Sequence, residues 1–280
     1  MSELISSRRN VLKSALGLAV AAGLPAGAFA RGKSAAAVTA TALNDRLLLV
    51  SGLGGNVLAL RSDQGLLLVD TGAAGATSKL QSELKKFARG AKVTTVINTH
   101  WHTDHTGGNE VFAKAGAKVI SHAKAAQRMA VDQYVPWEDR YLKARSRLAV
   151  PTEVFYLGSK ELKFGGETIE YGYLQQPHTD GDIYVHLRDS NVLVAGDAVS
   201  PQLDPQICWY EGGWVGGRVD SQAKLLAMGN AETRILAGTG GVASKAEVRT
   251  ERDALEKVFD RMSDAMRKGF TTEDMQKAKL

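Results

Sequence analysis

The sequence predicts an α+β or layered α/β fold in which sheets pack together under a cover of helices. Three observations carry that expectation. Short Leu- and Val-rich runs, separated by turns rich in Gly and Asp, cluster in both halves of the chain. Each cluster is followed by segments of helical periodicity. The chain has 280 residues, 44% of them hydrophobic and 23% charged, which is an ordinary globular composition. A chain of that size buries a sizeable core without disulfides. That matters because Cys208 is the only cysteine. The net charge is +5 with no block of like charges, so nucleic acid is not an indicated partner.

Residues 1–30 read as an export signal. Ser7-Arg8-Arg9-Asn10-Val11-Leu12-Lys13 resembles a twin-arginine motif, Ala15 to Gly27 is mildly apolar, and Ala28-Phe29-Ala30 fits a small-x-small cleavage site. The run contains Pro25 and is too short to span a membrane. The competing reading is an amphipathic N-terminal helix of a cytoplasmic protein. Export implies a periplasmic protein that engages the twin-arginine machinery and has no stable membrane anchor after signal removal. Residues 31–42 are small and polar, a flexible lead-in. Residues 43–280 form a single domain ending in a helix.

Arg46–Val50, Asn56–Leu60 and Leu66–Val69 read as antiparallel strands, the last ending in Asp70-Thr71-Gly72. Ser78 to Ala88 carries Leu80, Leu84 and Phe87 at helical spacing. Val93–Ile97 is a buried strand, followed by a helix through Phe112 and a strand Ala117–Ser121. Residues 122–150 have helical character at Ala123–Ala130 and then no period. They form an excursion bordering the site or a packed loop. Strands follow at Glu153–Tyr156, Glu161–Phe164, Thr168–Leu174, Ile183–Leu187 and Asn191–Ala195. Asp220 is placed to cap a helix through Leu225, Leu226 and Met228. Arg234–Ala237 is a short strand. A long C-terminal helix presents Val248, Leu255, Phe259, Met262 and Met266 on one face.

Chemistry concentrates at Asn98-Thr99-His100-Trp101-His102-Thr103-Asp104-His105-Thr106-Gly107-Gly108-Asn109, at the end of the Val93–Ile97 strand. Alternate side chains of an extended segment share a face, so His100 and His102 point together. Asp104 and His105 lie past the bend, towards a second position. His178 and Asp197 each end a later strand. His178 begins the tripeptide His178-Thr179-Asp180, the same as His102-Thr103-Asp104, a weak hint of duplication. Four imidazoles and two carboxylates suit Zn²⁺, and Mn²⁺, Fe²⁺ or Ni²⁺ take the same donors. Two metals about 3.5–4 Å apart would generate a nucleophile from water without any serine or cysteine.

His100-Trp101-His102-Thr103-Asp104-His105, followed by His178 and Asp197, resembles the metallo-β-lactamase superfamily, with Asp70-Thr71-Gly72 and Gly107-Gly108-Asn109 matching its flanking features. The resemblance covers about residues 43–245. It implies a four-layer αββα sandwich with the metals at one edge between the sheets. It implies a first metal on His100, His102 and His178, a second on Asp104 and His105, Asp197 bridging them, and Asp70 supporting a ligand from behind. One position departs. The family's last strand usually ends in a Pro-Gly-His-Gly-like turn, and here Ala237-Gly238-Thr239-Gly240 puts Thr239 where a histidine is expected. The second metal is then held more weakly, and a mononuclear enzyme stays open.

The resemblance implies a metal-dependent hydrolase of small molecules. A metal-held hydroxide would cleave an ester, thioester, lactone or lactam bond, and Asp104 would orient it and move a proton. A carboxylate at Asp197 resembles the thioesterase and lactonase branches more than true β-lactamases. The alternatives are a mononuclear iron oxygenase acting on a sulfur compound, with a triad from His100, His178 and Asp197, and a non-catalytic metal-bearing binding or maturation protein. His122 reads as structural and His186 as an ordinary side chain facing away from the core. Trp209, Tyr210 and Trp214, in a Gly-rich loop, either shape a substrate pocket or pack.

Overall fold

Leu47 and Leu49 turn to one face of their strand while Leu48 and Val50 turn to the other, and both faces are buried. A sheet covered on both sides needs such continuous apolar runs. The computed structural model describes residues 37–136 and 139–279. The proposed export signal and most of the lead-in lie outside the described residues.

β1 (Thr39–Asn44), β2 (Leu47–Leu53), β3 (Gly55–Ser62) and β4 (Gly65–Val69) form an antiparallel meander. After helix α1 (Thr77–Ala88), β5 (Val93–Ile97) joins β4 in parallel. Two short helices follow, α2 (Thr103–Thr106) and α3 (Asn109–Lys114), and then β6 (Lys118–His122), parallel to β5. Helix α4 (Ala123–Ala130) leads to β7 (Gln133–Val135) and β8 (Arg140–Leu142), a separate antiparallel pair. β9 (Glu153–Phe155) completes a seven-stranded sheet beside β6.

The second sheet has six strands. β10 (Ser159–Phe164), β11 (Glu167–Tyr173), β12 (Ile183–Leu187) and β13 (Val192–Gly196) run antiparallel. Helix α5 (Val215–Ala227) returns the chain to β14 (Arg234–Ala237), parallel to β13, and β15 (Val242–Ala243) ends the sheet. Helices α6 (Lys245–Arg267) and α7 (Thr272–Lys277) close the chain. No helix among the described residues is long and apolar enough to cross a membrane.

The inner faces meet through Leu47, Leu60, Leu67 and Ile97 on one side and Ile169, Ile183, Val185 and Leu236 on the other. Each such side chain contributes roughly 1.5–3 kcal/mol by leaving water. Leu80, Leu84 and Ala88 of α1 cover the outer face of the first sheet. Leu225 of α5 and Val248 of α6 cover that of the second. The order is therefore helix, sheet, sheet, helix, the four-layer αββα sandwich expected.

Several local expectations change. Residues 39–42, assigned to the lead-in, belong to β1, because Thr39 to Ala42 pair with Leu48 to Ser51 and cover an otherwise open sheet edge. Helix α5 starts at Val215 rather than near Asp220. Gly216 and Gly217 weaken a helix by propensity, but here they are packing requirements: a Cβ on Gly217 would collide with the Gln175 and Gln176 carbonyls. The period-free stretch after α4 contains the β7–β8 hairpin, with Tyr134 opposite Tyr141. On α6, Val248 is buried but Met262 and Met266 are 38% and 65% exposed, so the predicted stripe packs only along its first part.

Candidate metal centre

The carboxyl ends of the parallel pairs β4–β5 and β13–β14 lie at one rim between the sheets, where loops and reactive groups gather in such arrangements. β5 delivers His100. The bend continues into α2, with His102 just before its first residue and Asp104 and His105 within it. A buried amide pair braces the loop: Asn109 Nδ2 donates to Asn98 Oδ1 at 2.7 Å, and Asn98 Nδ2 donates to Asn109 Oδ1 at 3.1 Å. From the second sheet, the turn before β12 supplies His178, and the residue after β13 is Asp197.

The rings of His100, His102, His105 and His178 converge. Their centroids lie 4.8, 4.4 and 5.0 Å from that of His100 in the order His102, His105, His178. Each ring has one nitrogen held from outside. His178 Nδ1–H donates to the Gln206 carbonyl at 2.7 Å. His102 Nε2–H donates to Glu211 Oε2 at 2.6 Å. His105 Nδ1–H donates to Asp70 Oδ2 at 2.8 Å. The Thr99 hydroxyl donates to Asp70 Oδ2 at 2.7 Å, which leaves its oxygen to accept from His100 Nδ1–H at 3.1 Å.

These acceptors fix the tautomers, so the lone pairs of His100 Nε2, His102 Nδ1, His178 Nε2 and His105 Nε2 face inward. His102 Nδ1 and His178 Nε2 are 3.0 Å apart. That distance suits a hydrogen bond when His102 carries a second proton and a shared cation when it does not. His100 Nε2 and His105 Nε2 are buried without any hydrogen-bond partner. Buried nitrogens are rarely left so. Asp197 faces both groups: Oδ2 lies 3.5 Å from His178 Nε2 and 3.9 Å from His100 Nε2, and Oδ1 lies 3.6 Å from His105 Nε2. Asp104 Oδ2 is 4.0 Å from His105 Nε2. His100, His102, His178 and Asp197 bring their ligand atoms within 4.8 Å of one another, a group able to hold one cation, and Asp104 and His105 lie beside it on the far side of Asp197.

Electrostatics divide the imidazoles. Burial, reinforced by the neighbouring histidines, holds His100 well below its ordinary pKa, and burial with His102 beside it brings His178 to about 4. Burial also lowers His102, but Cys208 and Glu211 outweigh it and raise it to about 10. For His105 the same penalty loses to Asp197, Asp70 and Asp104, giving about 9. Burial raises Asp197, and the surrounding His105, His178, His102 and Arg218 more than reverse that. Protons and metal ions compete for these lone pairs.

All six predicted ligands are brought to one place, and Asp70 stands behind His105 and Thr99. It does so from a left-handed backbone, φ 63°, uncommon for a non-glycine residue and tolerated where the surroundings demand it. Thr239 is half-buried beside Gly238, and it is Gly238 that touches the centre: a Cβ there would overlap Asp197 Oδ1 and crowd His105. The repeated tripeptide diverges, since Asp180 pairs with Arg128 at 2.7 Å instead of joining the centre. His122 is structural, stacked on Tyr173 at 4.4 Å. His186 points away from the inter-sheet core but is buried nonetheless, on the helix-covered face.

Sequence reasoning passed over Glu211 and Asp182. Glu211 also accepts from Trp101 Nε1 at 3.1 Å, and it is 3% exposed. Asp182 shapes the His178 turn by accepting from the backbone N–H groups of His178 and Thr179 at 2.8 and 2.7 Å and from the Thr179 hydroxyl at 2.6 Å. The acidic residue four places after His178 was a visible signal for the turn. Nothing local marks Glu211. A cleft of about 140 Å³ opens beside the centre, lined by His102, Asp104, Val135, Leu142 and Tyr210. Tyr210 thus borders the cleft, whereas Trp214 packs against Phe259 with centroids 5.9 Å apart.

A sequence model described as the metallo-beta-lactamase superfamily matches residues 50–239. Among curated proteins, a hydroxyacylglutathione hydrolase of Rhodospirillum rubrum is 29% identical over 189 residues, covering 65% of this chain and 64% of that protein. One from a Polaromonas species is 48% identical over 66 residues, covering 22% of this chain and 25% of that protein. A type 2 metallo-beta-lactamase of Bacillus cereus is 31% identical over 143 residues, covering 50% and 49% respectively. The chain thus spans less than two thirds of each of these relatives. Among solved structures, a metallo-beta-lactamase from Pontibacter korlensis superposes with a TM-score of 0.64 at 17% identity over 79% of this chain and 99% of that one. A sec-alkylsulfatase from Pseudomonas sp. superposes with a TM-score of 0.66 at 17% identity, over 85% and 44%. At these identities the structural likeness concerns the fold.

Glu211→Ala releases the outer nitrogen of His102 and with it the tautomer. The expected result is a loss of about 10- to 100-fold in metal affinity, measured by competition with a chromophoric chelator. Affinity equal to that of the unsubstituted protein would remove Glu211 from the centre.

Proposed function

The chain belongs to the metallo-β-lactamase superfamily, and from that premise we propose that it is a metal-dependent hydrolase cleaving an ester, thioester, lactone or lactam bond of a small molecule. The observation that carries the reading is the inward convergence of four imidazole lone pairs on Asp197, with two of the nitrogens buried and unpartnered. Matches to proteins named as hydrolases support the reaction class. His100, His102 and His178 would hold one Zn²⁺, Asp104 and His105 a second, and Asp197 would face both. When bound, the cations supply Lewis acidity, lowering the pKa of a water and polarising the bond under attack.

The chain's own residues do the rest. Glu211, Gln206, Thr99 and Asp70 orient the rings and keep their lone pairs available. Asp104, 45% exposed, is the carboxylate open to the cleft. In this reading it accepts a proton from the attacking water and passes it to the leaving atom. Val135, Leu142 and Tyr210 offer an apolar wall for the group next to the carbonyl. The carboxylate at Asp197 directs the first substrate tests to thioesters and lactones. A mononuclear oxygenase would need only three donors from His100, His178 and Asp197. His102 and His105 face the same space, and that surplus favours hydrolysis.

His102→Ala and Asp104→Ala should each abolish turnover on a thioester and lactone panel while the circular dichroism spectrum is retained. Elemental analysis should give about two zinc per chain; one iron with substrate-dependent oxygen uptake would overturn the hydrolase. Thr239→His should tighten the second metal, and an unchanged stoichiometry and affinity would show that residue 239 does not face it.

The same reading includes export of the folded protein to the periplasm, supported by Arg8-Arg9 and the apolar run behind them. Replacing both arginines with lysine should retain the protein in the cytoplasmic fraction, and unchanged periplasmic recovery would refute that route.

A further inference from the structure

Arg218, on the first turn of α5, is 0% exposed, a cation among the largest fully buried side chains of the described residues. Such a group is costly unless its donors are matched. Here they are. Nε and Nη2 donate to Glu251 Oε1 of α6 at 3.1 and 2.8 Å, and Nη2 also donates to Ser200 Oγ at 2.9 Å. Nη1 donates to the Asp197 carbonyl at 2.5 Å and to the Gln206 carbonyl at 3.3 Å. The Gln206 carbonyl is the same atom that accepts from His178 Nδ1–H. The other oxygen of Glu251 accepts from the Ser200 N–H at 2.8 Å.

We propose that Arg218 is a positioning residue that holds Asp197 and His178 in register with each other, with Glu251 setting the plane of its guanidinium. This rests on the metal-centre reading above. The geometry has a simple consequence. Asp197 follows β13, while His178 leads into β12, and no backbone hydrogen bond joins the two among the described residues. One guanidinium nitrogen reaches the main chain of the first and the acceptor of the second. A planar fork of five donors serves these acceptors together, which an ammonium on a flexible stem does not. Gln222, four residues on along α5, adds a bond to the Ala198 carbonyl at 3.0 Å, so the helix grips the same segment twice. Glu251 lies outside the 50–239 stretch matched by the family model, so α6 supports the centre from beyond that stretch.

The test uses Arg218→Lys and Glu251→Gln, with Arg252→Gln as control, since Arg252 pairs with Asp253 and Glu256 on the same helix. Two readouts are taken on folded protein: hydrogen–deuterium exchange of the 197–208 segment, and Co²⁺ affinity with its visible absorption spectrum. Arg218→Lys and Glu251→Gln should speed exchange in that segment, weaken Co²⁺ by about 10- to 100-fold and alter the spectrum. The control should change neither. Unsubstituted exchange, affinity and spectrum in folded Arg218→Lys would overturn the proposal. If Arg218→Lys does not fold, Glu251→Gln decides by the same criteria. If the unsubstituted protein binds no Co²⁺, the metal-centre reading falls, and the exchange measurement alone decides whether Arg218 orders this segment.

Discussion

Three buried imidazoles and a half-buried fourth, turned towards one another, are tolerable only if every outward nitrogen has an acceptor. That constraint organises the rim of this fold. Asp70, Thr99, Gln206 and Glu211 each hold one ring. With the outer nitrogens committed, His100 Nε2 and His105 Nε2 are left without a partner, and His102 Nδ1 and His178 Nε2 face each other at 3.0 Å, so the inner nitrogens can receive a proton or a cation. Satisfied on the outside and unsatisfied on the inside, the centre combines rigid placement with open chemistry.

The sandwich supplies what this arrangement needs. Each sheet brings a parallel strand pair to the rim, so Asp70 and His100 arrive from one sheet and Asp197 and Gly238 from the other. Bonds between the sheets hold the halves together there: the Ile183 N–H donates to the Thr99 carbonyl at 2.8 Å, and the Asn56 N–H to the Gly238 carbonyl at 2.7 Å. Gly55 and Gly238 let the backbone approach His105 and Asp197 where any side chain would collide. Behind the second sheet, α5 and α6 contribute the buried Arg218–Glu251 pair, so the helical layer acts on the centre as well as covering the core.

The strands were legible because period and punctuation agree. Val93–Ile97, Ile183–Leu187 and Arg234–Ala237 have the bounds read from sequence. Where a local rule and a tertiary contact disagreed, the contact won. The glycines at 216 and 217 hid the start of α5, and the small residues Thr39 to Ala42 concealed a strand that pairs along the edge of β2. The hairpin of β7 and β8 has three residues per strand, too short for a period to register.

What the sequence determined by itself was the cluster of candidate donors that the fold brings together. His100 to His105 is a local cluster with telling spacing, and His178 and Asp197 each follow a readable strand. The supporting shell was decided by tertiary structure. Glu211 stands 109 residues from His102, and Glu251 stands 33 from Arg218. Their roles depend on which loops and helices the two sheets bring together, and no spacing along the chain encodes that. Ligands share chemistry and so leave a pattern. The groups that hold them need only one acceptor in the right place, and a carbonyl, a hydroxyl or a carboxylate serves equally well.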